Sequence, residues 1–261
     1  MIYLTKKFAQ NVCYLELSRP EKRNAFNKEM IEQLIDYLNS TAESNQFRVL
    51  LISGKNRFFS AGADLGWMKE AREQNEAQNL EDAELFNKLF RAFSDYPKPI
   101  IACVEGGAYG GAIGLLACAD IVTTTPDATF RFSETSIGLI PATVAPWIMR
   151  KTGSSFARSA LLSGLPFSGT NALGSGLVQY LFPQDKIIPK TREIANQIAR
   201  NSPQATKETK NLLNRIDRQF VPIDEELTQY CSTKIAKARI SDEGQEGVNA
   251  FFEKRKPSWN N

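Results

Sequence analysis

A cluster of glycines in the middle of the chain could bind negative charge. Residues 106–111 (Gly-Gly-Ala-Tyr-Gly-Gly) connect the apolar run Ile100–Val104 to a stretch of helical composition at 112–118. The first amides of a helix lack intrahelical partners and carry partial positive charge, so an anion could be held at this junction. The same glycines could instead serve only a tight turn and close packing. Their spacing does not match the dinucleotide-binding or P-loop glycine motifs.

A second segment places small residues between a predicted strand and a predicted helix. Residues 60–64 (Ser-Ala-Gly-Ala-Asp) precede a helix predicted over 65–72. One outward-facing amide from this segment and one from the glycine cluster could converge on a single oxygen. Such an oxyanion hole is energetically important, since removing one donor costs roughly 2.7–4 kcal/mol of barrier in known cases. The alternative is an ordinary turn in which Asp64 caps the helix.

A lone carboxylate, Glu134, lies among apolar and small residues in 132–141, just after a predicted strand. Burial would raise its pKa and suit it to moving protons. A solvated turn residue or a partner at a helix start is the alternative. The chain contains no histidine, which excludes Ser-His-Asp hydrolysis, zinc sites built on histidine and imidazole acid-base chemistry. Proton transfer must therefore use Glu, Asp, Lys, Tyr or Cys.

Composition limits the classes of binding partner and the cellular compartment that can be expected. The net charge is +3, from 32 basic and 29 acidic residues that are scattered along the chain, so no nucleic-acid partner is expected. The apolar stretch 100–122 contains Glu105 and Asp120, which favours a buried strand, turn and helix over a membrane span. Residues 1–10 lack the apolar core of a signal peptide. Reduced thiols in a cytoplasmic protein are expected for the widely spaced cysteines Cys13, Cys103, Cys118 and Cys231.

Hydrophobic periodicity alternates between strand and helix over the first two thirds of the chain. Strands are predicted at 2–4, 12–17, 49–53, 100–104, 121–124 and 129–132, and helices at 28–42 (after Asn27 as N-cap), 65–72, 82–93 and 112–118. This alternation is typical of an α/β fold with parallel strands. Beyond residue 185 only helices are predicted, at 186–199, 203–220, 225–238 and 241–255. The predicted organisation is a core over 1–200 and a C-terminal helical region over 201–261.

Five ordered motifs together carry a family resemblance. They are residues 19–26, 59–65, 106–120, 132–141 and 241–259, and they extend over most of the chain. In these motifs the chain resembles the crotonase superfamily of enoyl-CoA hydratases and isomerases. The resemblance implies an α/β spiral of repeated β-β-α turns with a C-terminal helical region that builds homotrimers, often paired into hexamers. It also implies an acyl-CoA substrate and no separate cofactor or metal, because coenzyme A is part of the substrate.

The resemblance also assigns roles to residues of this chain. The amides of Ala63 and Gly111 would hold the thioester oxygen, which lowers the free energy of an enolate-like state, while Glu134 would move protons. Phe251 and Lys254 would reach a ligand in a neighbouring subunit. Contacts with coenzyme A or substrate are further implied for Arg23, Ala25, Ala61, Asp64, Leu65, Gly110, Gly114 and Pro141.

One departure from the family pattern affects the expected reaction. Many family hydratases place a second glutamate where this chain has Gly114, whereas family isomerases use a single glutamate. Residues 63–68, 109–115 and 138–146 are similar to the bacterial methylglutaconyl-CoA and carboxygeranoyl-CoA hydratase branch, which tolerates this glycine. We therefore expect hydration of a branched or carboxylated enoyl-CoA, with Lys69 and Arg72 as candidate cations for the carboxylate. The alternatives are an isomerase and a non-catalytic relative that binds acyl-CoA or, least favoured by the charge, RNA.

Overall fold

The computed structural model describes residues 3–260, and its strands form two sheets. In chain order they are β1 (Leu4–Ala9), β2 (Val12–Leu17), β3 (Val49–Gly54), β4 (Ile100–Val104), β5 (Gly107–Tyr109), β6 (Ile121–Thr124), β7 (Thr129–Arg131), β8 (Phe167–Ser168) and β9 (Tyr180–Leu181). The larger sheet has the order β1-β2-β3-β4-β6-β9, and only the β1–β2 pair in it is antiparallel. The smaller sheet has the order β5-β7-β8, with β5 and β7 parallel. The parallel α/β organisation is confirmed.

Helices fill the intervals between the strands and the whole of the C-terminal part. They are α1 (Lys28–Thr41), α2 (Leu65–Ala71), α3 (Glu76–Asp95), α4 (Gly111–Cys118), α5 (Ala145–Ser163), α6 (Gly169–Gly174), α7 (Ile187–Ala199), α8 (Pro203–Phe220), α9 (Glu225–Ile240) and α10 (Asp242–Phe252). The four helices predicted after residue 185 are confirmed. Asn27 caps α1 as predicted, because its side chain accepts from the Met30 amide.

Several elements differ from the sequence-based expectation. Strand β1 extends to Ala9, and β8, α6 and β9 were not predicted. Helix α3 begins at Glu76, before the predicted start at Asp82, because Asn75 and Gln78 form a capping box. Helix α5 was not predicted, since Gly153 interrupts it with φ of 76° and breaks the apolar periodicity. Strand β5 lies inside the glycine cluster, which was expected to be only a turn. The part of the first strand predicted at Ile2 lies outside the described residues.

Successive turns of the chain repeat the same path. Each turn places one strand in the larger sheet and then an extended segment in the smaller sheet before a helix begins. The first turn runs from β3 through a bridge of Ser60 with Ala108 to α2, the second from β4 through β5 to α4, and the third from β6 through β7 to a short 3₁₀ helix at Glu134–Ile137. This is the predicted spiral of β-β-α turns.

The C-terminal helices pack onto the spiral of the same chain. Asn87 Nδ2 on α3 donates to Ser232 Oγ on α9 at 2.7 Å. Helix α10 packs against the 3₁₀ helix at Glu134–Ile137. The buried Lys210 on α8 forms an ion pair with the more exposed Asp120 at 2.7 Å. None of the helices found between residues 3 and 260 is both long and apolar enough to cross a membrane.

Candidate active site

The three segments singled out in the sequence meet because they occupy equivalent places in three successive turns. Each follows the extended segment that its turn contributes to the smaller sheet, and these segments run parallel. The Tyr109 amide donates to the Ser60 carbonyl at 3.1 Å, and the Gly110 amide donates to the Arg131 carbonyl at 3.0 Å. Parallel strands end at one edge of a sheet, so residues 60–64, 110–111 and 134 lie next to one another.

The first loop presents the Ala63 amide through a strand-like pairing with Phe26. The Phe26 amide donates to the Gly62 carbonyl at 2.7 Å, and the Asp64 amide donates to the Phe26 carbonyl at 2.8 Å. Backbone groups alternate direction along an extended segment, so the Ala63 N–H faces away from Phe26. Asp64 fixes the end of the loop by accepting from the Gly66 and Trp67 amides at the start of α2.

The second loop brings the Gly111 amide beside the first. A Cβ atom built on Gly62 would lie 3.6 Å from the Gly111 nitrogen and 2.5 Å from the Tyr109 carbonyl oxygen, which shows how closely the loops approach. Gly62 has φ of 82°, a conformation that glycine adopts without strain. Within residues 3–260, neither the Ala63 nor the Gly111 N–H donates to a protein acceptor. Two adjacent, unpaired donors are what an oxyanion hole requires.

Glu134 places a carboxyl group next to the second loop. Its Oε1 atom lies 3.1 Å from the position that a Cβ would take on Gly110. The residue as a whole is half-buried, but its Oε2 atom is fully buried and has no hydrogen-bond partner in the described part of the chain. Burial raises the pKa of Glu134 to about 7, although the Ser133 and Glu134 backbone groups oppose the shift. Both protonation states of the carboxyl group are therefore populated near neutral pH.

A cavity of about 720 Å³ opens onto these groups. Its volume is in the range of small-molecule sites. Apolar side chains from α2, α3, α9, α10 and residues 137–144 form much of its wall, namely Met68, Ala83, Phe86, Ile137, Leu139, Val144, Ile235 and Val248. Most of the predicted site residues border it, namely Arg23, Ala25, Ala61, Ala63, Asp64, Leu65, Gly110, Gly111, Glu134, Pro141 and Phe251. Phe251 thus borders the cavity of its own chain, and its contact with a neighbour's ligand stays a prediction.

Asp64 borders the cavity, but its carboxylate is already engaged. It accepts from Arg19 Nη1 at 2.6 Å as well as from the two α2 amides. Although burial opposes ionisation, the hydrogen bond from Arg19 and those from the backbone lower the pKa of Asp64. Asp64 therefore orients the first loop, which is the alternative that the sequence had left open, rather than offering a free charge to a ligand.

Three predicted residues do not border the cavity. Lys69 is exposed on α2, and Lys254 is exposed beyond the end of α10. Gly114 is buried in α4 behind the wall, because Phe90 and Val144 pack onto it. The substrate contacts expected for Lys69 and Gly114 are corrected accordingly, and Arg72, which directly follows α2, is the cation of this segment that borders the cavity. The contact of Lys254 with a neighbouring subunit's ligand stays a prediction.

The packing around Gly114 predicts a cost for any side chain there. A Cβ atom would lie 2.7 Å from both Phe90 Cζ and Val144 Cγ1. We expect Gly114→Ala to lower the free energy of unfolding by about 1–3 kcal/mol, the usual cost of overpacking a core. Thermal or urea unfolding measures the change, and adding Val144→Ala should recover part of it. Equal stability of Gly114→Ala and the wild type would contradict the tight packing.

Sequence reasoning missed several residues of the site. Phe86 and Tyr109 border the cavity, and so does Arg239 of α9. In the sequence Arg239 looks like an ordinary solvated arginine of a helix. No local pattern connects it to the site segments, which lie far earlier in the chain. Only the packing of α9 on α3 brings it to the site.

The β-β-α spiral, with its paired amides beside a carboxyl group, has the architecture of the crotonase superfamily. The model of the enoyl-CoA hydratase/isomerase family matches residues 7–261. The chain belongs to this family.

Similar proteins of the family include both hydratases and isomerases. The 2,3-dehydroadipyl-CoA hydratase of Escherichia coli is 33% identical over 251 residues, which cover 96% of this chain and 95% of that protein. A Δ(3,5)-Δ(2,4)-dienoyl-CoA isomerase of Dictyostelium discoideum is 28% identical, covering 97% of this chain and 89% of that protein. A solved enoyl-CoA hydratase/isomerase structure from Legionella pneumophila is 38% identical with a TM-score of 0.79, covering 99% of both chains.

Proposed function

We propose that the protein hydrates an enoyl-CoA thioester whose acyl group is branched or carboxylated. The observation that carries the proposal is the buried, unpartnered Oε2 atom of Glu134 beside the unpaired amides of Ala63 and Gly111. The amides suit a thioester oxygen that gains negative charge, and the carboxyl suits proton transfer at the adjacent carbons.

In the proposed reaction Glu134 acts first as a base and then as an acid. Its carboxylate takes a proton from water while the water oxygen bonds to Cβ of the substrate. The electrons of the 2,3 double bond move toward the thioester and place negative charge on its oxygen, which Ala63 and Gly111 hold. The enolate then takes the proton from Glu134 at Cα, and the carboxylate is restored. The sum is the addition of one water, with the pKa of Glu134 near the operating pH.

The entrance of the cavity suits the coenzyme A portion. Leu65 is 50% exposed at the cavity, which offers an apolar surface, and Arg23 contributes a cation and packs over the Phe58 ring. Arg23 is joined to the first oxyanion loop, because its carbonyl accepts from the Ala61 amide at 2.9 Å. A phosphate-bearing ligand held by Arg23 would therefore be anchored directly to the loop that presents Ala63.

A second candidate function is migration of the substrate double bond. It is favoured by one observation: Phe90 and Val144 occupy the space around Gly114, where a second glutamate would begin. A single carboxyl group can carry one proton between Cα and Cγ, as an isomerase requires. We favour hydration because one carboxyl can also perform both proton steps of the addition.

Product analysis tests the two functions against each other. The purified protein would be incubated with a panel of enoyl-CoA thioesters that includes 3-methylglutaconyl-CoA and 2,3-dehydroadipyl-CoA. A gain of one water in mass spectrometry supports hydration, whereas unchanged mass with a moved double bond would show isomerisation. Binding without any change in either property would show a non-catalytic acyl-CoA-binding protein.

The raised pKa of Glu134 predicts the pH dependence of the reaction. Because the first step needs the carboxylate, kcat/KM should rise with pH and level off above an inflection near pH 7. A buffer series from pH 5 to 9 with a saturation curve at each pH measures it. A profile that falls as pH rises through 7 would contradict Glu134 as the initial base.

We also propose a cytoplasmic homotrimer or a hexamer of paired trimers that needs no separate cofactor. In support, α8 exposes a row of large apolar side chains that another copy of the chain could cover, namely Leu212, Leu213, Ile216 and Phe220. Size-exclusion chromatography with light scattering measures the molar mass of the assembly. A monomer at micromolar concentration would contradict the proposed trimer or hexamer.

A further inference from the structure

Two arginines border the cavity with little compensation from acidic groups. Arg72 follows α2, and Arg239 lies in the last turn of α9. The Arg72 Nε atom is buried and has no hydrogen-bond partner within residues 3–260. In the same range neither guanidinium forms an ion pair within 4.0 Å. Unpaired buried donors on a cation are costly unless a ligand satisfies them.

Gln245 of α10 links the backbones of the two arginines. Gln245 Nε2 donates to the Arg239 carbonyl at 2.7 Å and to the Arg72 carbonyl at 3.3 Å. One side-chain amide of α10 thus binds both the residue that follows α2 and the last turn of α9. The two residues are distant in sequence, so their approach is a property of the tertiary fold.

Asn79 fixes the same corner from the other side. It is fully buried, and its Nδ2 donates to the Ala71 carbonyl at 3.0 Å. Its Oδ1 accepts from Arg239 Nη1 at 3.2 Å. The Arg239 side chain is therefore oriented by a residue that also ties down the segment leading into Arg72. Such support holds side-chain geometry in a binding site.

The local charge balance leaves this corner cationic. Burial lowers the pKa of Arg239, and the charge of Asp82 opposes the shift. Asp82 is itself hydrogen-bonded to Trp67 Nε1 at 2.8 Å, and it compensates at most one of the two guanidinium charges. The surrounding wall is apolar, from Met68, Ala83, Ile235 and Val248, so a charge on a ligand here would be only weakly screened by water.

We infer that Arg72 and Arg239 form a subsite for a carboxylate at the far end of the acyl group, so that the substrates are acyl-CoA thioesters with a second, free carboxyl group. This inference rests on the proposed function, since it describes the acyl end of the same cavity. Arginine suits the role because its planar donors match the two oxygens of a carboxylate. The apolar wall would contact the methylene groups between the thioester and the carboxylate.

Binding of saturated thioesters tests the subsite without requiring turnover. Hexanoyl-CoA and adipyl-CoA have the same chain length and differ in a terminal methyl against a carboxylate. Isothermal titration should give a lower Kd for adipyl-CoA with the wild type, by about tenfold or more, since hydrogen bonds to charged groups are worth about 1.5–3 kcal/mol. Arg72→Gln and Arg239→Gln should each reduce this ratio toward one, and Arg72→Lys should retain part of it.

Lys69→Gln is the matched control, because it removes an exposed cation of α2, close to Arg72 in sequence, that does not border the cavity. It should keep the wild-type ratio of the two Kd values. Equal affinity of the wild type for both thioesters would overturn the inference, as would an unchanged ratio in both arginine variants. If a variant fails to fold, the ratio of the two Kd values in the wild type still tests the inference. A preference for adipyl-CoA without any hydration would instead contradict the proposed reaction alone, and hydration without the preference would contradict the subsite alone.

Discussion

A Glu134→Gln variant is expected to lose hydration activity by about 10²–10⁴-fold in kcat, the usual contribution of a positioned acid-base group. Glutamine has nearly the same shape as glutamate, but it can neither accept the proton of water nor return it to Cα. The variant should still bind acyl-CoA, because the amides of Ala63 and Gly111 are untouched. Initial rates and the Kd of a saturated thioester separate the two properties.

Stability provides an independent check on the same variant. The pKa of Glu134 is about 7 in the folded protein and near 4.5 without burial, so the unfolded state releases the proton first as pH rises. The wild type therefore loses stability between pH 4.5 and 7, by about 1.36 kcal/mol for each pH unit in that window. Above pH 7, Glu134→Gln should unfold at a higher temperature than the wild type, and the difference should shrink below pH 4.5.

Glu81→Gln is the matched control for charge removal, since Glu81 is exposed on α3 and does not border the cavity. It should keep both wild-type activity and wild-type pH dependence of stability. A Glu134→Gln protein that binds and hydrates substrate at the wild-type rate would remove Glu134 from the mechanism.

Gly62→Ala is expected to lower kcat by about 10²–10³-fold, as if one oxyanion donor had been removed. The new Cβ would lie 2.5 Å from the Tyr109 carbonyl oxygen, and φ of 82° is strained for alanine. The first loop must therefore move away from the second, which separates the Ala63 and Gly111 amides. Because the two donors act together on one oxygen, a small displacement should have a large kinetic effect.

Gly174→Ala is the control for the glycine substitution, because no atom lies within 4 Å of the Cβ position there. It should leave kcat unchanged. Thermal unfolding of both variants distinguishes a displaced loop from a lost fold, and a folded Gly62→Ala protein with full activity would show that these amides do not hold the thioester oxygen.

Taken together, the cavity combines three kinds of environment that one substrate class would use at once. Arg23 and Leu65 lie on the part proposed to take coenzyme A, and Ala63 and Gly111 offer the unpaired amides. Arg72 and Arg239 supply positive charge next to an apolar part of the wall. A neutral short-chain thioester would leave that charge without a partner, whereas a carboxylated chain would satisfy it.

The sequence by itself determined the secondary structure that depends on local patterns. Periodicity located the buried strands and the four C-terminal helices, and Asn27 and Asp64 marked helix starts because capping is a contact within a few residues. The glycines and Glu134 could be selected as candidates from residue type and spacing, since each follows a predicted strand. Helix α5 could not be found this way, because its interior Gly153 interrupts the periodicity.

Only the tertiary structure decided which candidates share a site. Parallel pairing of the smaller-sheet segments brings residues 60–64, 110–111 and 134 to one edge, and no local pattern contains that register. Burial of the Glu134 carboxyl depends on surfaces contributed by several elements, so its raised pKa is not a property of its neighbours in sequence. The place of Arg239 in the site also depends on tertiary structure, because packing of α9 on α3 brings its backbone close to that of Arg72. Lys69, three residues before Arg72, remains in solvent.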